Sequence, residues 1–311
     1  MSSLCNYCQE FAGFLKKPIV MKESITSVKK SLIQINICVF LLGGTALFAK
    51  LISLPADSIT LFRSIFGCVS LLILILITRS FKCPSKKDCL LIIFTGLLTG
   101  VHWVTFFQAI QISTVAIGVL SLYTFPIMTS FLEPLFDHEK MKVQNIFLAM
   151  IVFIGILLII PEFEISNQTT AGVMLGLASA LLFSIRNIIV RKTLHHINGI
   201  TTMCYQLMVI SIMFIPFVNF QPSLMVDNRL LLLIFLGIIF TATPHVLLVA
   251  GLRHLKATTA SLILCLHPMY SIVFAAILIS EIPPLKVILG GFIIVGISVY
   301  ESIRVRQNAG S

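Results

Sequence analysis

Charge is scarce in this sequence. Its 311 residues include 22 Lys and Arg and 12 Asp and Glu, so 11% are charged while 58% are hydrophobic; soluble domains carry about 25% charged residues. So few ionic side chains cannot cover a water-facing surface, and most of the chain must meet lipid or other buried chain. The same apolar content excludes disorder. Catalytic signatures are also missing. No His-Glu-x-x-His or Gly-x-Ser-x-Gly occurs, and His138-Glu139 has no His three residues on, so the usual metal and nucleophile constellations are absent. Of eight Cys only Cys5 and Cys8 have ligand spacing, with no second pair nearby, where zinc needs about four ligands. No metal, cofactor or nucleic-acid partner is expected. The formal net charge of +10 falls in short clusters between apolar runs, as orientation signals do.

What is present is a series of about ten apolar runs, near 32–53, 58–78, 89–110, 114–135, 143–161, 170–190, 200–219, 230–251, 257–279 and 286–303. A helix needs about 20 residues to cross about 30 Å of hydrocarbon. The runs lack the ten-residue alternation of barrel strands, so they read as helices. The expected fold is an all-α polytopic membrane protein. A basic leader, residues 1–30, carries Lys16, Lys17, Lys22, Lys29 and Lys30 and no cleavage pattern of a removed signal peptide. Met21 within it is a second candidate start. With the leader in the cytoplasm, 17 Lys and Arg fall on its side and two, Arg229 and Lys286, on the other. The positive-inside rule then puts both termini in the cytoplasm, and isoleucine richness suggests a bacterial inner membrane.

The chain also repeats. A shift of 142 residues superposes Pro126 on Pro268, Leu120 on Leu262, Leu122 on Leu264 and Glu139 on Glu281; a shift of 141 superposes Gly155 on Gly296 and Lys50 on Arg191. Five spans, residues 31–161, therefore repeat as five, residues 162–303, ahead of a tail at 304–311. An odd number of helices per repeat makes the halves run oppositely through the bilayer, the inverted arrangement of alternating-access carriers.

Several segments resemble the EamA branch of the drug/metabolite transporter superfamily: Phe48-Ala-Lys-Leu and Thr60-Leu-Phe-Arg-Ser-Ile-Phe-Gly in the first two spans, then Phe107-Gln-Ala-Ile-Gln-Ile-Ser-Thr-Val-Ala, Leu122-Tyr-Thr-Phe-Pro and Glu139. The second half echoes them with Ala250-Gly-Leu-Arg-His-Leu-Lys-Ala-Thr-Thr-Ala-Ser-Leu, Leu266-His-Pro and Glu281. The resemblance covers nearly everything after residue 30. It implies two EamA repeats, a central cavity and movement of a small metabolite, often outward, without naming the solute. His267 and Arg186 depart from the shared pattern, as does the long leader.

Intramembrane ionisable residues mark functional candidates. Arg63, in the second span, either holds a solute carboxylate or phosphate or ties helix ends. Glu133 and Arg186, near the basic side, can form a charge pair that gates one mouth, or Glu133 can pair with a nearby lysine. Lys50 reads as an interfacial anchor. His102, Trp103, His245 and His267 lie mid-span and can bind solute or relay a coupling proton; the imidazoles can equally bond backbone freed by Pro244 and Pro268. Pro126 and Pro268 are candidate kinks, Tyr123 and Gln206 offer hydrogen bonds, and the pairs Gly96/Gly100 and Gly172/Gly176 permit close helix packing. Membrane lipid and a small solute are the expected partners. A channel or an intramembrane enzyme is the alternative, without a filter sequence or a catalytic set to support it.

Overall fold

The computed structural model describes residues 27–79, 84–137, 143–159, 167–218, 228–252, 255 and 263–309. Cys5, Cys8, Met21, Glu139, Arg253 and Lys256 lie outside this set. Every element among the described residues is a helix. In chain order α1 is Ser27–Leu51, α2 Ala56–Ile77 and α3 Lys86–Ile112. α4 comes in two pieces, Val115–Leu122 and Phe125–Asp137, and α5 is Val143–Ile159. α6 is Gln168–Thr193, α7 Gly199–Phe217 and α8 Asn228–Gly251. α9 is His267–Leu278 and α10 Leu285–Ala309.

Local chemistry sets where helices begin. Ser85 and Asp88 form a capping box at the start of α3, and Thr114, Asn167 and Asn198 cap α4, α6 and α7 through their side-chain oxygens. Each satisfies an amide that the first turn leaves without a partner. Apolar side chains fill the core, with Phe107 and Leu207 fully buried, and also cover the outside. Ile277 and Phe292 face outward at 72% and 68% exposure, while Arg63, Ser179 and Gln206 are almost fully enclosed. With no water to bond them, polar side chains in a bilayer collect in the bundle interior.

Seven helices, α1 to α4 and α6 to α8, are long and apolar enough to cross a membrane. α5 is described over 17 residues, Val143–Ile159. α9 has 12 residues because it opens after a break at Cys265 and Leu266.

The seam between the halves reveals their relative sense. α2 meets α7 through Ser64 with Ser211, Oγ to Oγ 3.1 Å, and through Cys68 with Cys204, whose thiols each donate to the other's backbone carbonyl at 3.7 and 3.9 Å. Moving up one helix moves down the other, so the two are antiparallel. α5 and α10 behave likewise: Gln144 meets Tyr300 at one end, and Gly155 meets Gly290 further along. These are the second and fifth helices of each repeat. The structure is an all-α membrane bundle of two inverted five-helix repeats.

Candidate functional site between the repeats

Helix breaks shape the interior. α4 is interrupted at Tyr123 and Thr124, and the chain breaks again at Cys265 and Leu266 before α9, positions 142 residues apart. Pro126 and Pro268 each lie in the first turn after a break, so they start helical segments and do not kink continuous ones, a correction to the sequence-based expectation. Proline is tolerated at the second position of a helix because the amides of the first turn have no intrahelical acceptor. Discontinuous helices at a repeat interface are where carriers place midplane sites.

Prolines leave carbonyls without donors, and side chains from other helices fill them. Pro268 frees Leu264 O, which accepts the Tyr123 hydroxyl at 2.8 Å. Pro134 frees Ser130 O for Asn145 Nδ2 at 2.8 Å, and Pro244 frees Phe240 O for Thr45 Oγ1 at 3.1 Å. Ahead of Pro244 the α8 backbone widens into a π-helical turn, Ile238–Ala242. That turn presents Thr241 inward, and no sequence signal singled Thr241 out except its closeness to the proline.

Arg63 is 3% exposed. Its Nε and Nη2 both donate to Thr241 Oγ1, at 3.3 and 3.0 Å, and its Cζ lies 3.9 Å from the Trp103 ring centroid and 5.1 Å from that of Phe107. This is a cation–π sandwich within hydrocarbon. Close approach of α2 and α8 makes it possible: a Cβ at Gly237 would lie 2.6 Å from Phe66 Cβ and 2.9 Å from Arg63 O.

His102 clasps α3 to α6. Its Nδ1 lies 2.7 Å from Ser179 Oγ, and that hydroxyl donates to His102 O at 2.9 Å. From His102 an aromatic run crosses the seam: Phe183 at 4.9 Å, then Phe125 at 5.0 Å, Tyr123 at 5.7 Å and His267, stacked on Tyr123 at 5.3 Å. His267 Nε2 reaches Leu42 O at 3.0 Å and its Nδ1 is buried with no hydrogen-bond partner among the described residues. His245 Nδ1 lies 2.6 Å from Thr241 O in its own helix. The structure therefore draws Arg63, His102, Trp103, Tyr123, His245 and His267 into one interior, with the imidazoles bonded largely to backbone.

Arg186 and Glu133 do not pair, which corrects that sequence-based expectation. Arg186 donates Nη2 to Gln206 Oε1 at 2.6 Å and Nη1 to Asn187 Oδ1 at 3.0 Å. Gln206 in turn donates to Thr95 Oγ1 at 2.8 Å, linking α6, α7 and α3. Glu133 pairs with Arg191, five residues further along α6. The same end of the bundle carries two further contacts between halves, His196 with Asp88 at 3.2 Å and Gln144 donating to Tyr300 at 2.7 Å. At the opposite end Glu281 accepts from Val115 N at 2.5 Å, a carboxylate on the positive end of α4. Lys50, near the end of α1, caps the C-terminal end of α3 through Gln111 O and Ser113 O at 3.3 and 2.8 Å.

Inverted halves, matched breaks and a polar seam define a membrane transport protein built from duplicated five-helix units. The match to known families agrees: the model of the EamA-like transporter family fits residues 29–160 and again 170–300, and the chain belongs to that family. It is similar to the uncharacterized transporter YxxF of Bacillus subtilis strain 168, 24% identical over 86% of this chain and 88% of that one. It is also similar to the pseudopaline exporter CntI of Pseudomonas aeruginosa strain UCBPP-PA14, 25% identical over 78% of this chain and 84% of that one. A crystal structure superposes on 90% of this chain and 98% of its own with a TM-score of 0.62 at 15% identity, a likeness of fold.

Proposed function

We propose that this protein is a secondary carrier that moves a small organic solute across a bacterial inner membrane by alternating access, as an exporter. The two halves rock about the α2–α7 and α5–α10 crossings and expose a shared site first to one face, then to the other. The observation that carries this reading is the pair of matched breaks in α4 and ahead of α9, brought together by inversion and bridged by Tyr123 against His267. Arg63, His102, Trp103, Tyr123, His245 and His267 are the proposed solute-facing residues, and Glu133 with Arg191 the proposed gate on the basic side. The excess of Lys and Arg supports placing that side and both termini in the cytoplasm. The export direction draws support from the pseudopaline exporter among the relatives.

Vesicles reconstituted with the purified chain test the proposal. Candidate metabolites, including amino acids, should show saturable uptake or efflux, measured with and without a pH gradient to reveal a coupling proton. Flux that rises without saturating would indicate a channel and overturn the carrier mechanism.

A further inference from the structure

The interior of the bundle holds positive charge with no described counter-charge. Arg63 has five N–H donors, of which Nε and Nη2 share a single acceptor, Thr241 Oγ1. Its Nη1 has no hydrogen-bond partner and its guanidinium no carboxylate within ion-pair distance among the described residues. Arg186 is similar: its two bonds go to neutral amides, Gln206 and Asn187, and its Nε is buried without a hydrogen-bond partner among the described residues. Both arginines are drawn against α3, Arg63 over the Trp103 ring and Arg186 through Gln206, which bonds Thr95. A buried guanidinium without an anion is costly, and a hydroxyl and an indole face offset only part of that cost. Among the described acids, Glu133 is engaged with Arg191 and Glu281 with the α4 amide at the bundle ends, and Glu301 is buried in the C-terminal part of α10.

We infer that the solute is an organic anion whose carboxylate or phosphate docks on Arg63 above Trp103, drawn into an interior that Arg186 also makes positive. This rests on the carrier reading above and names the chemistry of its cargo. A planar oxyanion can take the unused edge of the Arg63 fork, which a neutral or cationic solute cannot exploit. The anion supplies the charge that the fold omits, and the solute-free interior repels cations.

Trp103 is the only tryptophan of the chain, so its fluorescence reports on Arg63 directly. In nanodiscs at constant ionic strength, glutamate, citrate and inorganic phosphate would be titrated against glycerol and putrescine. The expected result is a saturable emission change with at least one of the three anions and none with glycerol or putrescine. Arg63→Gln should weaken that response at least tenfold, and Arg63→Lys, which keeps the charge and loses the fork, should fall between the two. The apparent affinity measured separately as thermal stabilisation by the same anion guards against loss of the optical signal alone. A response to putrescine or glycerol and to no anion, an anion response unchanged in Arg63→Gln, or silence to all three anions would each overturn the inference. Vesicle flux separates the two claims. Saturable movement of a cation would sink the anion assignment and leave the carrier standing, whereas an anion that binds through Arg63 yet never crosses would do the reverse.

Discussion

A proline inside a helix leaves the carbonyl four residues back without its donor, and hydrocarbon offers no water to replace it. Asn145 answers this for Pro134 by donating to Ser130 O from α5. Interhelical bonds of this kind in membranes are worth about 0.5–2 kcal/mol. Asn145→Ala should therefore lower the unfolding temperature in detergent. The same substitution made together with Pro134→Ala should cost much less, because the restored amide of residue 134 takes Ser130 O. Equal losses in both backgrounds would show that Asn145 stabilises through packing. The proline half of each such pairing is readable in the sequence, since Pro134, Pro244 and Pro268 interrupt apolar runs. The donor half is not: Thr45 lies 195 residues from Phe240, and Tyr123 lies 141 from Leu264. Arg63 stood out as a charge in an apolar span, but its bond to Thr241 needed the π-turn of α8, which no pattern in the chain announces.

Helix pairings across the seam carry the inversion, and they can be tested as elements. Ser64 and Ser211 touch with oxygens 3.1 Å apart. In a chain cleared of its native cysteines, Ser64→Cys with Ser211→Cys should close an intramolecular disulfide under mild oxidation. Ser64→Cys paired with Cys204 retained should not, since antiparallel α2 and α7 put those positions at different levels. Efficient closure of the second pair would contradict the antiparallel crossing. α5 and α10 approach most closely at Gly290, which faces Gly155. A Cβ on Gly290 would lie 2.6 Å from Gly155 O and 2.9 Å from Ile159 Cγ1, whereas nothing lies within 4 Å of one on Gly296. Gly290→Leu should separate the helices and destabilise the fold by about 1–3 kcal/mol, the usual cost of overpacking; Gly296→Ala should be neutral in the same melting assay. Gly155 and Gly296 superpose in the sliding comparison without touching, as equivalent positions of two repeats need not; Gly155 packs on Gly290. The breaks at 123–124 and 265–266 are the better register, because they are features of backbone geometry and do not rest on one shared small residue. Helix number and order were legible from apolar runs and charge spacing, while the break at Cys265 and Leu266 ahead of α9 was not, because it lies inside a continuous apolar run.

Across the whole molecule, polar contacts between the halves are unequally placed among the described residues. The basic end is tied by Glu133 with Arg191, Asp88 with His196 and Gln144 with Tyr300, and the other end by Glu281 on the α4 amide. In a rocking carrier, ties at one end hold that mouth shut, and loosening them shifts the population toward the state open there. Arg191 and Glu133 are partly solvated, at 56% and 21% side-chain exposure, and such pairs contribute about 0.2–1 kcal/mol. Glu133→Gln should then raise the open population by no more than about fivefold, given that 1.4 kcal/mol is tenfold. A cysteine placed at buried Thr99, whose hydroxyl bonds only its own helix, reports the change. An impermeant maleimide added on the basic side should label Thr99→Cys faster in the Glu133→Gln background, and Glu281→Gln at the far end should not accelerate it. If Glu133→Gln slows transport while labelling from both sides stays the same, the carboxylate acts on the solute's path and the mouth is closed by something else. The size of the shift decides the matter as much as its direction: a gain well beyond fivefold would mean that this one contact, exposed as it is, holds the mouth almost alone, which a solvated ion pair is too weak to do.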